Sequence, residues 1–173
     1  MGIGDIDSEN DVLSAEAEFE IFYRREFASL AVVAGTVAAD RSIGEDIAQE
    51  ALSKASGQWA KVSVLDKPGA WVRRVAINLA IGRKRRSVTE AKALRKLGPT
   101  AAVAGETRRG DPAVWAAVDQ LAPKQRAVIA LHYLEDRPVA EIAEILDISV
   151  SAATSNLHKA RTNLADKLGE SHG

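Results

Sequence analysis

Cysteine is absent from the 173-residue sequence, and its absence excludes both disulfide bonds and thiolate metal sites. Aromatic residues make up only 5% of the chain, and no apolar run is long enough to span a bilayer. The acidic start, from Asp5 to Asp11, lacks the basic and apolar segments of a signal peptide. We therefore expect a cytoplasmic protein that does not insert into a membrane.

Motifs of catalysis and metal binding are also missing from the sequence. The three histidines, His132, His158 and His172, do not have the spacing of metal ligands and have no cysteine to support them. No glycine-rich phosphate loop follows a strand, and there is no nucleophile motif. We expect no enzymatic activity, no cofactor and no metal, and we interpret His132 as a partly buried packing residue.

The residue types that are plentiful favour helices. Alanine, leucine and isoleucine are plentiful, and apolar residues recur at spacings of three and four, with no convincing strand. The predicted fold is all-α, with two small helical domains joined by a flexible linker. The expected division is a disordered acidic tail over 1–14, a first domain over 15–88, a linker over 89–111, a second domain over 112–168 and a tail over 169–173.

The pattern in the first domain predicts three helices. Ser42 is expected to cap the second helix, with Glu45 completing a capping box, and that helix is expected to end near Lys61. A loop over 62–68 follows. Its last residue, Pro68, suits the first turn of the third helix, because the missing amide of proline is not needed there.

Charge is distributed unevenly along the chain, although the net charge is only −1. Residues 1–66 hold 13 acidic and 5 basic side chains, whereas residues 67–96 hold 10 basic and 1 acidic. Residues 97–173 are close to balanced, with 8 basic and 10 acidic. A basic segment between acidic neighbours indicates one surface for a polyanion and another for a different partner.

A helix-turn-helix is predicted over residues 139–157. Ala143 is small enough for two helices to cross closely, and Asp147 stands at the turn, where a positive φ is needed. Ile148 would fill the angle between the helices, and Ala153 would seat the second helix. The alternative interpretation is an ordinary helical hairpin whose apolar residues form a core stripe.

The second helix of this motif would present short polar side chains to base edges and two cations, Lys159 and Arg161, to phosphates. Two cations on so long a helix predict weak binding to DNA, because phosphate neutralisation supplies most of the non-specific affinity. A partner that contributes further binding free energy is therefore expected.

Two further clusters of polar residues lie in the first domain. One is a basic helix with Arg73, Arg74 and the run 83–86, whose Trp71 and Asn78 suit unstacked bases. A solvated helix end, favoured by the helix dipole, explains the same charges. The other cluster is an acidic patch of four residues on the preceding helix, which indicates a protein partner with basic residues. Its members are Glu45, Asp46, Gln49 and Glu50.

These segments resemble the extracytoplasmic-function (ECF) family of bacterial RNA polymerase sigma factors. Residues 45–52, EDIAQEAL, and residues 67–80, KPGAWVRRVAINLA, are similar to region 2 of that family. The run from Leu121 to Arg161, which begins LAPKQRAV and ends LHKAR, is similar to region 4. The two motif sets stand in the family's order and spacing, with no region 3 between them.

The resemblance implies a transcription initiation factor that binds core RNA polymerase, directs it to promoters and assists strand opening at the −10 element. It implies contacts of Asp46, Gln49 and Glu50 with the clamp helices of the largest core subunit, a contact with the flap, and control by an anti-sigma protein. The loop 62–68 would hold a flipped base. The implied −10 DNA-binding residues are Lys61, Lys67, Trp71, Arg74, Asn78, Arg83, Lys84, Arg85 and Arg86. The implied −35 DNA-binding residues are Ser149, Ser151, Ala152, Thr154, Ser155, His158, Lys159 and Arg161.

The sequence departs from the family's pattern at three positions. Family members commonly carry a lysine and an arginine where this chain has Thr154 and Asn156. The loss of two cations predicts weaker −35 binding or a different sequence preference. Asp147 stands where glycine is usual, which puts the fine geometry of the turn in question rather than the fold.

Two other functional classes stay open at this point. A stand-alone helix-turn-helix regulator would bind duplex DNA as a dimer, but it would not need the acidic patch or the basic helix. A sigma-like decoy that has lost promoter binding would be consistent with Thr154 and Asn156.

Overall fold

The computed structural model of the chain describes residues 3–95 and 110–170, and within these ranges it contains helices and turns but no strand. We call these two ranges the N-terminal region and the C-terminal region. The N-terminal region consists of α1 (Ile3–Ala38), a 3-10 helix (Arg41–Ile43), α2 (Gly44–Ser56), α3 (Trp59–Val62) and α4 (Pro68–Arg95). The C-terminal region consists of α5 (Pro112–Asp119), α6 (Pro123–Ile129), a π-helical turn (Ala130–Leu134), α7 (Val139–Leu146) and α8 (Val150–Glu170). The predicted all-α fold is confirmed.

The N-terminal region is a bundle in which the apolar stripes of α1, α2 and α4 share one core. Its largest fully buried side chains are Leu30, Val33, Val37, Ile47, Leu52, Val62, Val72 and Ile77. Helices α1 and α2 cross closely at Gly44, where a Cβ atom would collide with the Ala31 carbonyl oxygen and the Gly35 backbone. Glycine is therefore required at position 44 for this crossing.

Helix α1 is longer than the sequence pattern predicts. The pattern predicts a tail over 1–14, whereas the helix begins at Ile3, so the tail prediction is wrong for residues 3–14. No glycine or proline occurs between Asp5 and Ala34, and nothing in that stretch interrupts a helix once it has formed. Residues 1 and 2 lie outside the described part of the chain.

The turn between α1 and α2 is capped by Asp40, not by Ser42. The Asp40 Oδ1 atom accepts hydrogen bonds from the Ser42 amide at 3.0 Å and from the Ser42 hydroxyl at 2.6 Å. A 3-10 helix follows, and α2 then starts at Gly44 without a side-chain cap. The predicted capping box of Ser42 and Glu45 is therefore wrong, because the aspartate two residues earlier takes the amide.

Two other helix ends differ from their predicted positions. Helix α2 ends at Ser56 with Gly57 as its C-cap, and the chain reaches Lys61 through the separate short helix α3. Helix α4 begins at Pro68 as predicted but continues to Arg95, seven residues into the predicted linker. The rest of that linker lies mostly at 96–109, outside the described residues, and the end of the predicted C-terminal tail, 171–173, lies outside them as well.

The C-terminal region forms a second helical bundle around α8. Asp111 caps α5 through a hydrogen bond from the Ala113 amide to Oδ1 at 2.8 Å, and prolines open both α5 and α6. The core side chains are Val118, Leu121, Val128, Leu131, Ile142, Ile145, Leu157 and Ala160. Every helix in the described part of the chain is too short or too polar to cross a membrane.

Candidate nucleic-acid interface

The predicted helix-turn-helix is formed by α7 and α8. Asp147 ends α7 in the left-handed conformation, with φ 56° and ψ 49°, as its place in the turn predicts. The Ile148 amide donates to the Ala143 carbonyl at 3.1 Å, which closes the turn and satisfies an orphan carbonyl of α7. Ala143 and Ala153 are buried where the two helices meet. The small side chains allow the close crossing that the motif requires.

The first half of α8 exposes a row of short polar side chains. Ser151, Thr154, Ser155, His158 and Lys159 are exposed, which agrees with the surface that the sequence predicts. Ala152 is partly buried, so its methyl group contributes less to that surface than predicted.

The residue before α8 and two side chains of α8 make hydrogen bonds to the helix backbone. The exposed Ser149 hydroxyl caps α8 by accepting a hydrogen bond from the Ala152 amide at 3.0 Å. The Thr154 hydroxyl donates to the Val150 carbonyl at 2.8 Å, and the Asn156 amide donates to the Ala152 carbonyl at 3.0 Å. The positions where the family commonly has two cations thus carry side chains that bond their own helix.

Arg161 is held in place by the π-helical turn. Its Nε donates to the Tyr133 hydroxyl at 2.8 Å, and its guanidinium carbon lies 5.7 Å from the Tyr133 ring centroid. Its Nη2 lies 3.3 Å from the His132 Nε2. Sequence reasoning assigned Arg161 to DNA but missed Tyr133, whose exposed ring beside the helix-turn-helix could be found only from the fold.

A second polar surface follows one stripe of α4, with its first residue in the loop before it. Spacings of three and four place Lys67, Trp71, Arg74 and Asn78 on this stripe. Lys67 and Asn78 are exposed, whereas Trp71 is partly buried and packs against the core of the bundle. Trp71 therefore offers one part of its ring to the surface, less than the sequence suggests.

The loop before α4 is exposed and apolar at its tip. Val64 is 78% exposed and Leu65 is 43% exposed, and Lys61 is exposed beside them on α3. Apolar side chains exposed at the tip of a loop suit contact with an unstacked base.

Two residues of the α4 surface contact the helix-turn-helix. Arg74 donates from Nε to the Ile145 carbonyl at 3.0 Å and from Nη2 to the Glu144 carbonyl at 2.6 Å. Lys67 Nζ donates to Glu144 Oε2 at 2.6 Å, and this hydrogen bond raises the pKa of Lys67 above its ordinary value of 10.5. The carbonyl end of α7 carries partial negative charge, which suits the approach of Arg74.

Arg73 is not part of the exposed basic surface. It is 5% exposed, and it donates to Glu26 Oε2 and to Glu135 Oε2, both at 2.7 Å. Arg137 Nε and the Ser29 hydroxyl also donate to the Glu135 carboxylate. The sequence pattern groups Arg73 with the nucleic-acid surface, and this is wrong because the side chain faces the core side of α4.

Burial and hydrogen bonding have opposite effects on the pKa values of Glu135 and Arg73. Burial raises the pKa of the Glu135 carboxyl, but the hydrogen bonds from Arg73, Arg137 and Ser29 outweigh it and hold that pKa below its ordinary value of 4.5. Burial likewise lowers the pKa of Arg73, and the two carboxylates raise it overall. Both groups are therefore charged at neutral pH.

The acidic patch on α2 touches the basic run at the end of α4. Asp46 and Gln49 are exposed, whereas Glu50 is partly buried and accepts a hydrogen bond from Arg83 Nη2 at 2.7 Å. Lys84 is partly buried, and Arg85 and Arg86 are exposed. The ion pair of Glu50 and Arg83 thus joins the acidic patch of α2 to the basic run of α4.

No group of three or more metal-binding side chains comes together in residues 3–95 or 110–170. The His132 Nδ1 atom lies 3.1 Å from the Arg137 carbonyl oxygen, and the side chain is partly buried. His132 thus has the packing environment that the sequence suggests.

Comparison with known proteins gives a consistent set of relatives. The family model "Sigma-70, region 4" matches residues 112–164. The RNA polymerase sigma-E factor of Streptomyces antibioticus is 32% identical over 163 residues, which cover 93% of this chain and 88% of that protein. The ECF RNA polymerase sigma factor SigW of Bacillus subtilis is 28% identical over 139 residues, which cover 72% of this chain and 74% of that protein.

A solved structure has a similar fold. The sigma factor RpoE of Bartonella quintana, in complex with the anti-sigma factor NepR, matches with a TM-score of 0.68 and 20% identity. The match covers 88% of this chain and 97% of that chain. At 20% identity, the similarity is evidence for the fold alone.

Proposed function

The chain belongs to the extracytoplasmic-function family of RNA polymerase sigma factors, and on that premise we propose how its surfaces are divided between promoter DNA and polymerase. It is an alternative sigma factor that binds core RNA polymerase, directs it to specific promoters and assists strand opening. The observation that carries the division is that the chain has two separate polar surfaces, one on α8 and one on α4. Residues 15–88 correspond to region 2 and residues 112–168 to region 4 in this proposal.

The −35 element is assigned to α8. The exposed row of Ser151, Thr154, Ser155 and His158 would face base edges in the major groove, because a helix fits that groove and short polar side chains reach donors and acceptors there. Lys159 and the tyrosine-bound Arg161 would contact phosphates. Ser149 caps α8 by accepting from the Ala152 amide, and in this proposal the amide end of the helix would face the DNA backbone.

The −10 element is assigned to the stripe of α4 and the loop before it. Asn78 and the exposed part of Trp71 would contact the strand that opens, and Val64 and Leu65 would cover a flipped base. Unstacking bases costs a few kcal/mol per base step, a free energy that contacts with the polymerase must offset. The cations that would neutralise nearby phosphates are the exposed Lys61, Lys67, Arg85 and Arg86 and the partly buried Arg74 and Lys84.

Core polymerase is assigned to the acidic end of α2. Asp46 and Gln49 are free to meet basic residues of the clamp helices in the largest subunit, whereas Glu50 already pairs with Arg83. We give Asp46 the leading role for this reason, with Glu50 orienting Arg83. Region 4 would contact the flap.

Regulation by an anti-sigma protein is part of the proposal. The similar fold of the Bartonella quintana sigma factor occurs in a complex with an anti-sigma factor, and the likeness covers most of both chains. The chain itself would carry no catalytic group, since the polymerase performs the chemistry. Its place of action would be the bacterial cytoplasm, where polymerase and chromosome are found.

Binding of the fluorescently labelled full chain to core polymerase tests the assignment of α2. We expect Asp46→Arg to lose most of its affinity, because it places a positive charge against a basic partner surface. Glu16→Arg is the matched control, since it makes the same change in charge at an exposed position of α1 and should retain affinity. Equal affinity of the two variants would contradict the assignment, and no binding by the unmodified chain would contradict the function.

A further inference from the structure

Arg161 is an exposed cation that two neutral side chains hold in position. Its Nε donates to the Tyr133 hydroxyl at 2.8 Å, and its Nη2 lies 3.3 Å from the His132 Nε2. Within residues 3–95 and 110–170, Arg161 forms no ion pair with a carboxylate. The charge of Arg161 is therefore fixed in place but is not neutralised by the protein.

Other arginines of the chain are held by carboxylates instead. Arg24 pairs with Glu20 on α1. Arg83 likewise pairs with Glu50. In such a pair the positive charge is already compensated, so a second anion gains less from contact with it. An arginine held by a phenol and an imidazole keeps its charge for an anion that arrives from solution.

The contacts of His132 determine which of its ring nitrogens carries the proton. Guanidinium nitrogens only donate, so the His132 Nε2 must accept from Arg161. The other nitrogen, Nδ1, lies 3.1 Å from the Arg137 carbonyl oxygen, to which it can only donate. The neutral ring with its proton on Nδ1 satisfies both contacts. His132 thus acts as an acceptor that orients Arg161.

Hydrogen-bond donors of this cluster remain available on its exposed side. The Tyr133 ring is 56% exposed, and its hydroxyl accepts from Arg161, which leaves the hydroxyl hydrogen to donate outward. A guanidinium has five N–H donors, of which two are directed at Tyr133 and His132. The opposite end of the guanidinium has the fork geometry that suits a phosphate.

Arg161 lies beyond the row of side chains assigned to base edges. Spacings of three and seven residues place it on the same face of α8 as His158 and Thr154, and all three are exposed. It follows Ser151 by ten residues, a distance of about 15 Å along the axis of α8. The major groove is only about 12 Å wide. A helix whose first turns lie in the groove therefore brings Arg161 to the phosphates at the edge of the groove.

We propose that Tyr133, His132 and Arg161 form a binding site for one backbone phosphate at the edge of the −35 element. Arg161 contacts the phosphate, and Tyr133 and His132 are positioning residues. The proposal rests on the proposed function and adds to it two residues of the π-helical turn, a kind of turn that is frequent at functional sites. An arginine that is ordered before binding loses less conformational entropy on meeting the phosphate, so the site strengthens binding to every promoter sequence.

Neutralisation of single phosphates tests the contact in the complex of the full chain with core polymerase. The probe is a promoter duplex bound by the unmodified chain, in which an uncharged methylphosphonate replaces one phosphate at a time around the −35 element. We expect one position at which the affinity of the unmodified chain falls by about tenfold. At that position the already weaker Arg161→Gln variant should lose nothing further. Equal losses in the two proteins at every position would overturn the phosphate contact.

Removal of the Tyr133 hydroxyl tests the positioning role. Tyr133→Phe keeps the ring and should lower promoter affinity by roughly three- to tenfold. In the Arg161→Gln background the same change should have no effect, because the two residues act through one contact. The slope of log affinity against log salt should also become shallower, by up to about 0.9. A bond that only fastens α8 to the π-helical turn would give equal losses in the two backgrounds, and that result, or no loss at all, would overturn the positioning role.

Matched variants separate these effects from general changes in the protein. Tyr23→Phe removes the hydroxyl of the only other tyrosine, and Arg24→Gln removes an exposed charge from α1, so both should bind the promoter like the unmodified chain. His132→Leu should weaken binding, whereas His132→Gln should retain it because its amide oxygen can accept from Arg161. Equal affinities of the two His132 variants would overturn the role of that residue.

Failure of this proposal is distinguishable from failure of the proposed function. No promoter complex from the unmodified chain and core polymerase would overturn the sigma assignment, and the phosphate site with it. Promoter complexes of equal affinity from the unmodified chain, Tyr133→Phe and Arg161→Gln would overturn only the phosphate site.

Discussion

Arg73 Nε lies 2.7 Å from Glu135 Oε2, and this bond joins residues of two regions that are 62 positions apart in the chain. Both side chains are almost fully buried, and each has a second charged partner, Glu26 for Arg73 and Arg137 for Glu135. The bond therefore joins the two regions through buried charged groups, beside the direct packing of α1 on α6 and of α4 on α7.

Removal of Glu135 should destabilise the protein. In Glu135→Ala, Arg73 keeps Glu26 but loses half of its charge compensation, and we expect the free energy of unfolding to fall by roughly 3 kcal/mol. Urea denaturation followed by circular dichroism measures the change. Glu20→Ala is the control, because Glu20 pairs with Arg24 at a position where both side chains are mostly exposed, and it should cost about 0–1 kcal/mol. Equal losses in the two variants would argue against a stabilising role of the buried ion pairs of Glu135.

Stability should depend on the charge of Glu135. Its pKa in the folded protein lies below the ordinary value of 4.5, so the folded state binds fewer protons than the unfolded state. The stabilisation is complete above pH 4.5 and is lost as the pH falls through the folded pKa. Glu135 meets Arg73 and Arg137, with Glu26 and Glu141 on the far sides of these arginines.

The pH dependence is measured against a variant that cannot titrate at this position. The difference in unfolding free energy between the unmodified chain and Glu135→Gln should be constant near neutral pH and shrink below about pH 4.5. A difference that stays constant down to about pH 3 would show that the charge of Glu135 is not the source of the stabilisation.

A methyl group at Gly44 should weaken the crossing of α1 and α2. The Cβ atom of Gly44→Ala would overlap the Ala31 carbonyl oxygen, so the backbones must separate, at a cost of about 1–3 kcal/mol. Gly82→Ala is the opposite case, because its Cβ atom meets nothing within 4 Å in the middle of α4. It should stabilise by about 0.5–1 kcal/mol, since alanine loses less backbone entropy than glycine. Thermal unfolding of both variants checks the sign of each effect.

The turn of the helix-turn-helix should accept glycine. Asp147 has φ 56°, a conformation that strains residues with a Cβ atom, and Asp147→Gly should raise the unfolding free energy by about 1 kcal/mol. Asp147→Val should lower it, because a β-branched residue tolerates this conformation poorly. Chemical denaturation of both variants measures these changes. A higher unfolding free energy for Asp147→Val than for the unmodified chain would contradict the turn geometry.

Restoring two cations on α8 should strengthen binding to the −35 element. In Thr154→Lys with Asn156→Arg, side chains that now bond the helix backbone are replaced by long cations able to reach phosphates. The slope of log affinity against log salt should steepen by about 0.9 for each new phosphate contact. Salt titrations with polymerase on substituted −35 sequences measure it. An unchanged slope would show that neither position faces the DNA.

Local patterns in the sequence predicted the helix-turn-helix well. The spacing of Ala143, Asp147 and Ala153 is sufficient because the motif is held by short-range contacts along the chain. The acidic character of α2 and the start of α4 at Pro68 were predictable for the same reason. These features depend on residues within a few turns of one another.

Contacts between distant segments were not predictable in this way. Arg73 and Arg74 are adjacent cations in the sequence, yet one is buried between two carboxylates and the other binds the end of α7. Their difference depends on where Glu135 and Glu144 lie in the fold, and neither position follows from periodicity. The tie between Arg161 and Tyr133 also spans 28 residues, so only the structure shows it.

Transcription by core polymerase with this protein tests the central claim most directly. The templates are a genomic promoter library, and the 5′ ends of the transcripts are sequenced. We expect discrete start sites that share spaced −35 and −10 motifs, lost with Asn78→Ala and retained with Lys92→Ala, an exposed position near the end of α4. No start sites beyond those of core polymerase alone, with the added protein shown to be folded, would contradict the account.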